Sequence, residues 1–447
     1  MNATPIPLVA NFSPGATIGW RTGVRMDVER FVGTAQALAQ RMPAGGYCIN
    51  LCEDRLNFTL GLAAALLRRA VTLLPPARAR AALRDLAAMY APAYAFVDQP
   101  DAFRGVLQID LRDWPDPAKD NGNPAIAAEQ PAITLFTSGS TGAPRPHSKR
   151  WGALVAGAQA LRARLPLASG SAILGTVPPQ HMWGLEAAVM LPLQSGCAIA
   201  SRSPLLPADV AALLAEMTAP RWLVTVPMHI RACVAIDVRM PALCGILSAT
   251  ARLDASLAQA FEASTSAPVF EIYGSTETGA VATRRPSLHG GFELLDGLRL
   301  DSRTRRCRIM AGHVGDAVTL PDELEVLSAT RFNLGARAND LVKIGGKRAS
   351  LATLNTELGR VPGVVDGVFW MPEADRATQR LAAFVVAPGV SRAAILDALR
   401  ERIDPAFLPR PMIMVDALPR DALGKLPREH LAALASRTIG VDAARAT

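Results

Sequence analysis

Short apolar runs alternate with longer amphipathic stretches between about residues 27 and 280. Apolar residues spaced three and four apart predict helices, and short unbroken apolar runs predict buried strands. The helical stretches are residues 27–42, 58–69, 150–165 and 253–263, and the strand-like runs are 47–51, 132–136, 173–177, 222–226, 246–249 and 269–273. This alternation is typical of α/β layers with mainly parallel strands.

The pattern changes twice further along the chain. From residue 290 to about 338, short strand-like pieces replace the helical periodicity and predict a small β-rich subdomain. Beyond it, strand-like runs at 364–370, 381–386 and 412–415 flank a helical segment at 391–403, and a final helix follows. We therefore predict a large N-terminal domain, residues 1–338, and a small mobile α+β C-terminal domain, residues 339–447.

The composition is that of a globular enzyme-sized protein. The 447 residues, half of them hydrophobic, can form two or three domains with a large core. The most apolar segment, 60–74, is interrupted by Arg68 and Arg69, so we expect no membrane span. No signal-peptide pattern is evident at the N-terminus, and we expect a cytoplasmic protein. The six cysteines lack metal-ligand spacing, which indicates reduced and mostly buried thiols.

The net charge of +8 is dispersed, and no basic run carries interleaved aromatic residues, which argues against nucleic-acid binding. A positive surface also attracts acidic or phosphorylated partners. Only five of the 47 basic residues are lysines. Because lysine is a compact charge that can reach a single oxygen atom, each lysine that remains is a candidate for a specific contact. The five are Lys119, Lys149, Lys343, Lys347 and Lys425.

A loop rich in Gly, Ser and Thr follows the strand predicted at 132–136, and the segment 135–149 that contains it is expected to leave this strand and enter the helix at 150–165. Its glycines allow successive backbone N–H groups to face one anion, which suits a polyphosphate. It does not match the P-loop pattern, which needs a Gly-Lys pair, or the G-x-S-x-G nucleophile elbow, because Ser138 stands at the first glycine position. The loop consists of Thr137, Ser138, Gly139, Ser140, Thr141 and Gly142.

Four segments, in this order, resemble the signatures of the adenylate-forming superfamily of acyl- and aryl-CoA synthetases, peptide-synthetase adenylation domains and luciferases. Residues 137–145 resemble T-S-G-S-T-G-x-P-K, and 271–277 resemble Y-G-x-T-E. Residues 337–348 are similar to the hinge segment R-x-D-x-x-K-x-x-G, and 418–425 to L-P-x-x-x-x-G-K. Together these matches span most of the chain.

The resemblance implies that a carboxylate attacks the α-phosphorus of ATP to form an acyl-adenylate. The Gly-rich loop would contact the β- and γ-phosphates, Thr276 the α-phosphate, and Tyr273 the adenine. Glu277 would hold Mg2+, a cation that prefers carboxylate and phosphate oxygens. Further nucleotide contacts would come from Arg145, Lys149, Gly274, Asp316 and Arg337.

Asp316 is the candidate for the aspartate that binds the ribose hydroxyls, with Arg337 as its partner and Asp322 as the alternative, because Val314 replaces the family's usual threonine. Lys425 would bridge the substrate carboxylate and the α-phosphate. The family's C-terminal domain then rotates about a hinge, here at Asn339, where the family usually has Asp or Lys. The thiol-facing side of that domain would include Lys343, Gly346 and Lys347.

The segment 179–185 resembles the family segment whose His or aromatic residue borders the acid and thiol tunnels. The predicted acid pocket comprises His181, Trp183, Gly184 and Ala249, along with the stretches 225–229 and 248–251. Residues 146–149, with sequence PHSK, depart from the common Gly-Val continuation. This variant resembles ligases that load aryl acids onto acyl carrier proteins in aryl-polyene pathways.

The sequence therefore predicts an ATP- and Mg2+-dependent carboxylic acid ligase that transfers the acyl group to a pantetheine thiol. The acceptor is CoA or an acyl carrier protein, and charge does not distinguish the two. Two alternatives remain open: an adenylate-forming enzyme with a non-thiol acceptor, and a catalytically silent homologue that only binds its ligand.

Overall fold

The computed structural model describes residues 4–21, 24–75, 80–91, 93–99, 103, 106–119, 122–137, 145–218, 220–288, 290–304, 306–337, 341–344, 347–371, 381–421 and 424–445. The chain divides into two compact units. The first comprises Met1–Asp301, Ile309–Val318 and Ala329–Arg331, and the second comprises Ser302–Arg308, Thr319–Ser328 and Phe332–Thr447. The proposed domain border at residue 339 lies outside the described residues.

The first unit is an α/β unit built from short strands and helices. Its strands are β1 Ile6–Pro7, β2 Thr17–Arg21, β3 Val24–Asp27, β4 Tyr47–Asn50, β5 Val71–Leu74, β6 Ala93–Val97, β7 Leu107–Asp110, β8 Ala125–Ile126, β9 Pro131–Thr137, β10 Arg145–Arg150, β11 Ala172–Gly175, β12 Ala198–Ala200, β13 Arg221–Thr225, β14 Gly245–Ser248, β15 Val269–Ser275, β16 Gly279–Arg284, β17 Phe292–Leu294, β18 Leu298–Asp301, β19 Arg308–Ala311 and β20 Gly315–Thr319. Its helices are α1 Val28–Gln40, α2 Arg55–Leu67, α3 Arg80–Met89, α4 Trp151–Ala163, α5 Met182–Leu185, α6 Leu191–Ser195, α7 Pro207–Glu216, α8 Pro227–Ala235 and α9 Ala255–Thr265.

Two large sheets organise this unit. One has the strand order β10-β9-β5-β4-β6-β7 and is parallel except for the β9/β10 pair. In the other, the order β17-β16-β15-β14-β13-β11-β12-β2-β3 has a parallel centre from β15 to β2 and antiparallel pairs at both ends. Parallel strands buried by helices on their faces explain the unbroken apolar runs in the sequence. The predicted α/β fold is confirmed.

Helix α2 lies at the centre of the unit and contacts β4 and β5 of one sheet and β2 and β12 of the other. Its sequence, RLNFTLGLAAALL, has no polar face, and all but its last residue are buried. A helix that is apolar all round is typical of a buried core helix. Asp54 caps its N-terminus by accepting the backbone N–H groups of Leu56 and Asn57.

One strand was not predicted. Residues Arg145–Arg150, between the Gly-rich loop and the start of α4 at Trp151, form β10, antiparallel to β9. The six residues of β10 are all polar or proline, and their exposure alternates, so they form an edge strand without an apolar signal. The cysteines are mostly buried, as expected: all six are free, five of them are buried, and Cys244 is exposed.

The second unit is smaller and mixes strands with helices around its own core. Its strands are β21 Asp322–Val326, β22 Arg331–Arg337, β23 Leu341–Ile344, β24 Lys347–Ser350, β25 Asp366–Trp370, β26 Ala382–Val386 and β27 Met412–Met414, and its helices are α10 Leu351–Gly359, α11 Arg392–Arg400 and α12 Arg428–Arg445. β25, β26 and β27 form one sheet, antiparallel then parallel. Leu358, Phe384, Ile395 and Leu399 are fully buried in this unit.

Candidate functional site

Two polar segments of the first unit come together at the ends of β9 and β15. Thr137 is the last residue of β9 and lies opposite Arg145, the first residue of β10. The Gly-rich loop between them, including Ser138, Gly139, Ser140, Thr141 and Gly142, lies outside the described residues. Arg145 is exposed, and its side chain extends from the edge strand.

The second segment is the turn between β15 and β16, which carries Thr276 and Glu277. Thr278 stabilises this turn: its hydroxyl accepts the Ser275 N–H at 3.1 Å and donates to the Gly279 carbonyl at 2.8 Å. Thr276 is half-buried, and the Glu277 side chain is 43% exposed. The hydroxyl and the carboxylate can therefore both meet a ligand from solvent.

β10 contacts this turn through two side chains. The Lys149 ammonium donates a hydrogen bond to the backbone carbonyl of Glu277. His147 shares a hydrogen bond of 2.9 Å with the Thr137 hydroxyl, and its Nε2 lies 3.7 Å from Oε1 of Glu277. Thr137, Lys149 and Glu277, three residues selected from the sequence, thus lie in one constellation.

The charges in this constellation set its protonation states. Partial burial raises the pKa of Glu277, but hydrogen bonds from its own backbone N–H and from Ser275, with the nearby His147 and Lys149, outweigh burial and leave the pKa below its ordinary value. Burial lowers the pKa of Lys149, while attraction to Glu186 and Glu277 partly restores it. Glu277 is therefore an ionised carboxylate at neutral pH, as a hard-cation ligand must be.

Behind the turn lies a buried carboxylate that sequence reasoning missed. Glu186 is 5% exposed, and its two oxygens lie 3.0 and 2.9 Å from the Ala280 amide nitrogen, whose N–H they accept. His313 donates from Nε2 to the Ala280 carbonyl at 2.8 Å. The available signal was one acidic residue inside the apolar run from Leu185 to Leu193, where a charge needs a specific partner.

Tyr273 and Gly274 precede the turn. Tyr273 is buried, and its ring packs at 5.7 Å from the ring of Phe292. A bulge in the β15/β16 ladder falls between Tyr273 and Gly274. A Cβ atom at residue 274 would lie 2.1 Å from the Gly279 carbonyl oxygen, so this approach of the two strands requires glycine.

A polar cluster lies at the carboxyl ends of the neighbouring parallel strands β11, β13 and β14, the edge where α/β sheets bind ligands. Trp183 is 7% exposed, and its Nε1 donates to the Thr225 carbonyl at 3.0 Å. The Thr225 hydroxyl is hydrogen-bonded to Thr176 at 2.9 Å, and Thr176 to Nδ1 of His229 at 2.7 Å. Burial lowers the pKa of His229, which is therefore neutral at pH 7.

The remaining predicted pocket residues lie beside this cluster. His181 is the half-buried residue before α5, and Gly184 within α5 packs so closely that a Cβ would lie 2.1 Å from the Pro178 carbonyl oxygen. Ala249 is buried directly after β14. Within the described part of the chain, the buried hydroxyl of Ser248 has no hydrogen-bond partner.

The buried side chain of Arg55 supports this edge of the sheet from behind. Its guanidinium donates to the carbonyls of Gly175 at 2.9 Å, Val177 at 2.8 Å and Ala200 at 3.0 Å, and to the Ser203 hydroxyl at 2.7 Å. Burial lowers the pKa of Arg55 to about 10, so the group stays charged. Arg55 thus ties the start of α2 to the strand end that leads to His181.

Several residues predicted to bind the nucleotide or face the thiol lie in strands of the second unit. Asp322 of β21 is the register partner of Arg337 in β22. Lys343 and Lys347 lie in the short β23/β24 hairpin, whereas Asn339 and Gly346 lie outside the described residues. In the first unit, Asp316 is exposed in β20.

Lys425 is exposed at the end of a tight loop. Its N–H donates to Oδ1 of Asp421 at 2.8 Å, and its carbonyl accepts the Asp421 N–H at 2.8 Å. Arg420 holds the loop through hydrogen bonds to Asp366 and to the Gly424 carbonyl. The side chains of Asp421 and Arg420, which were not selected from the sequence, therefore hold the backbone at Lys425 in place.

No helix in the described ranges is long and apolar enough to cross a membrane. The described residues also contain no cluster of three or more His, Cys, Asp or Glu side chains that could hold a metal ion. Glu277 is a carboxylate that could hold a cation at the turn, and Mg2+ commonly takes one or two carboxylates with phosphate oxygens and water.

Solved structures share this architecture over nearly the whole chain. An anthranilate CoA ligase, AuaEII, in complex with anthranoyl-AMP superposes with a TM-score of 0.82, at 17% identity, covering 96% of this chain and 98% of that one. ATP-bound MatB from Rhodopseudomonas palustris superposes with a TM-score of 0.80, at 18% identity, covering 96% of both chains. At such identities the likeness establishes the fold.

The sequence establishes the family. Residues 45–315, more than half of the chain, match the AMP-binding enzyme family, and the chain belongs to it. A 4-coumarate–CoA ligase of Halorhodospira halophila is 27% identical over 301 residues, which cover 66% of this chain and 74% of that protein. The resemblance to adenylate-forming enzymes inferred from the four motifs is confirmed.

Proposed function

We propose that this protein is an ATP-dependent carboxylic acid ligase that forms an acyl-adenylate and transfers the acyl group to a pantetheine thiol. The observation that carries the proposal is the contact between β10 and the β15/β16 turn, where Lys149 donates to the Glu277 carbonyl beside Thr137. This contact joins the two strands that flank the Gly-rich loop to the turn that carries Thr276 and Glu277. Those two residues are expected to bind the α-phosphate and the metal.

In the first step, a carboxylate oxygen of the acid attacks the α-phosphorus, the bond to the β-phosphate breaks, and pyrophosphate leaves. The Gly-rich loop and Thr276 supply hydrogen-bond donors for the phosphates, and Arg145 and Lys149 supply positive charge near them. Tyr273 and Gly274 form the wall for the adenine. A relative in fold has been solved with ATP bound, which supports ATP as the cosubstrate.

Mg2+ is the proposed metal, with Glu277 as its protein ligand. The lowered pKa of Glu277 keeps the carboxylate charged, and its exposure leaves room for phosphate oxygens on the same ion. When bound, the ion would neutralise charge on the triphosphate. For the ribose, we favour Asp322 over Asp316, because Asp322 is the register partner of Arg337.

The acid is proposed to bind at the carboxyl ends of β11, β13 and β14. Trp183 supplies an aromatic wall there, beside His181, Gly184 and Ala249, and neutral His229 with the buried Ser248 hydroxyl supplies polar contacts. Such a pocket suits a planar aromatic acid with a polar substituent. The curated relative cited above is a 4-coumarate–CoA ligase, which agrees with an aryl acid.

Residues 339–447, the C-terminal part of the second unit, are proposed to act as the mobile domain, with residues 1–338 as the ATP- and acid-binding domain. Lys425 would bridge the substrate carboxylate and the α-phosphate during adenylation. Rotation about Asn339 would then bring Lys343, Gly346 and Lys347 to the thiol. The thiolate sulfur attacks the acyl carbon, the acyl–phosphate bond breaks, and AMP leaves.

The acceptor is proposed to be CoA or an acyl carrier protein, both of which carry pantetheine and negative charge. The relatives named above as CoA ligases favour CoA, whereas the PHSK continuation after the Gly-rich loop favours a carrier protein. We propose a cytoplasmic location, where ATP and both acceptors are present.

The decisive experiment measures pyrophosphate release by the purified protein with ATP, Mg2+ and a panel of aryl and alkyl acids. Thioester formation is then compared with CoA and with a phosphopantetheinylated carrier protein. AMP formation without thioester would favour a non-thiol acceptor. A folded protein that binds ATP but releases no pyrophosphate with any acid would contradict the proposal and indicate a silent homologue.

A further inference from the structure

At the exit of the β15/β16 turn, Ala280 is held by two side chains. The Ala280 N–H is accepted by both oxygens of Glu186, at 3.0 and 2.9 Å, and its carbonyl accepts Nε2 of His313 at 2.8 Å. Both backbone polar groups of Ala280 are therefore bound to side chains that lie far away in the sequence. Three residues earlier in the chain, the Glu277 carbonyl accepts the Lys149 ammonium.

The approach of Glu186 to this turn depends on glycine. Gly279 has a φ of +72°, and a Cβ atom there would lie 2.4 Å from Oε1 of Glu186. Gly157 of α4 packs on the other side, where a Cβ would meet the same oxygen at 3.5 Å and the His313 ring at 3.4 Å. The carboxylate thus occupies a close-fitting space between α4 and the turn.

Glu186 begins the π-helical segment Glu186–Met190, whose other residues are apolar and buried. Such irregular helical turns frequently occur at functional sites. Burying a carboxylate costs free energy, because desolvation penalises its charge. Burial raises the pKa of Glu186 to about 7, although the Ala280 N–H and the attraction of Lys149 favour the charged form.

We propose that Glu186 is a positioning residue for adenylation, which holds the turn from Ser275 to Gly279 so that Thr276 and Glu277 meet the nucleotide and its metal. This inference rests on the function proposed above. Glu186 acts through the Ala280 backbone, and Lys149 acts on the same turn through the Glu277 carbonyl. Residues that orient a metal ligand from behind in this way typically contribute ten- to a hundredfold to affinity or activity.

The test uses two substitutions of the full-length protein. Glu186→Gln preserves the shape of the side chain and one acceptor oxygen, and Glu186→Ala removes both. Glu401→Gln is the matched control, because Glu401 is exposed at the end of α11 in the second unit. We expect kcat/KM for Mg-ATP in pyrophosphate release to fall about tenfold in the Gln variant and about a hundredfold in the Ala variant. The rate of thiolysis of a supplied acyl-adenylate should stay within about twofold of the wild type, because the turn serves the first step.

A merely structural role predicts a different result. Equal losses in both half-reactions, or Glu186→Ala adenylating like the wild type, would overturn the proposal. The pH profile gives a second readout. The ionised carboxylate accepts the Ala280 N–H with both oxygens and attracts Lys149, so adenylation should rise with pH through about 7 in the wild type. This rise should be absent in Glu186→Gln. A pH profile of Glu186→Gln that rises like that of the wild type would contradict the positioning role.

Two other titratable groups lie near Glu186: Lys149 of β10, which also attracts Glu277, and His313, whose pKa is lowered by burial. These groups are present in the wild type and in Glu186→Gln, so the difference between the pH profiles of the two proteins reports the titration of Glu186. If the wild type releases no pyrophosphate, the proposed function fails by itself. Amide hydrogen exchange at Ala280 still tests the anchor: it should accelerate at least about tenfold in Glu186→Ala, and an unchanged rate would overturn it.

Discussion

The guanidinium of Arg420 donates two hydrogen bonds of 2.7 Å to the carboxylate of Asp366, the first residue of β25. A third, of 2.8 Å, goes from Arg420 to the carbonyl of Gly424, which immediately precedes Lys425. The fork of arginine fits a carboxylate with two parallel bonds, which lysine cannot reproduce. The loop of Lys425 is thereby fixed to the sheet of the second unit.

Substituting Arg420 by methionine should release this loop without unfolding the unit. Because the Arg420 and Asp366 side chains are 26% and 30% exposed, the stability cost should be at most about 1 kcal/mol. Misplacement of Lys425 should lower the adenylation rate ten- to about a hundredfold. Pyrophosphate release and chemical denaturation measure the two effects. Arg437→Met, at an exposed site on α12, is the control and should change neither.

Lys425→Ala should lower adenylation about a hundredfold or more, because it removes the charge proposed to bridge the carboxylate and the α-phosphate. Thiolysis of a supplied acyl-adenylate should be spared. Single-turnover assays of each half-reaction make the comparison. Lys119→Ala, at an exposed site of the first unit, should leave both rates unchanged. Equal losses in the two half-reactions would refute the role assigned to Lys425.

Gly279→Ala should impair adenylation through Glu186. The new Cβ would lie 2.4 Å from the Glu186 carboxylate and would also force an L-residue into a left-handed conformation. The backbone strain alone costs about 1 to 3 kcal/mol. Gly170→Ala is the matched control, because Gly170 has a φ of +79° but open space around it. Both variants should lose stability, yet only Gly279→Ala should raise the KM for Mg-ATP.

Arg55→Met should be the most destabilising of these substitutions. The buried guanidinium donates to the Ala200 carbonyl and, at 3.2 Å, to the Arg202 carbonyl. It also donates to the Gly175 and Val177 carbonyls at the strand end leading to the acid pocket. Leaving these acceptors without a donor should cost about 3 to 5 kcal/mol, measured by urea unfolding. The acid's KM should rise as well. Full stability in the variant would show that water or a rearranged side chain satisfies the carbonyls.

The raised pKa of Glu186 predicts a pH-dependent stability difference between the wild type and Glu186→Gln. In the folded protein the carboxyl holds its proton up to about pH 7, whereas the ordinary value is 4.5. The unfolded chain binds fewer protons between these values, so the contribution of Glu186 to stability falls as pH rises through this window and is constant above it. The wild type should lose about 3 kcal/mol relative to the variant between pH 4.5 and 7.5, as denaturation curves at both values will measure. Parallel pH dependences would contradict the shift.

Much of the fold followed from local patterns in the sequence. The buried parallel strands were predicted because each is an apolar run, and α2 because its residues are apolar and helix-forming. The family followed from four short motifs in one order, since adenylation needs phosphate donors, a carboxylate and a lysine. The hairpin strand β10 was missed because an edge strand of polar residues carries no apolar signal.

At the site, too, some features followed from the sequence and others only from the tertiary structure. The resemblance of short segments to the family signatures singled out Thr137, Thr276, Glu277 and Lys425. Only the tertiary structure brought Lys149 to the Glu277 carbonyl, 128 residues away, and Glu186 to the Ala280 amide, 94 residues away. Such contacts depend on how strands and helices pack, and no local spacing encodes them. The sequence alone thus determined which chemical groups are present, and the packing of β10, β16 and the π-helical segment decided which of them act on the same turn.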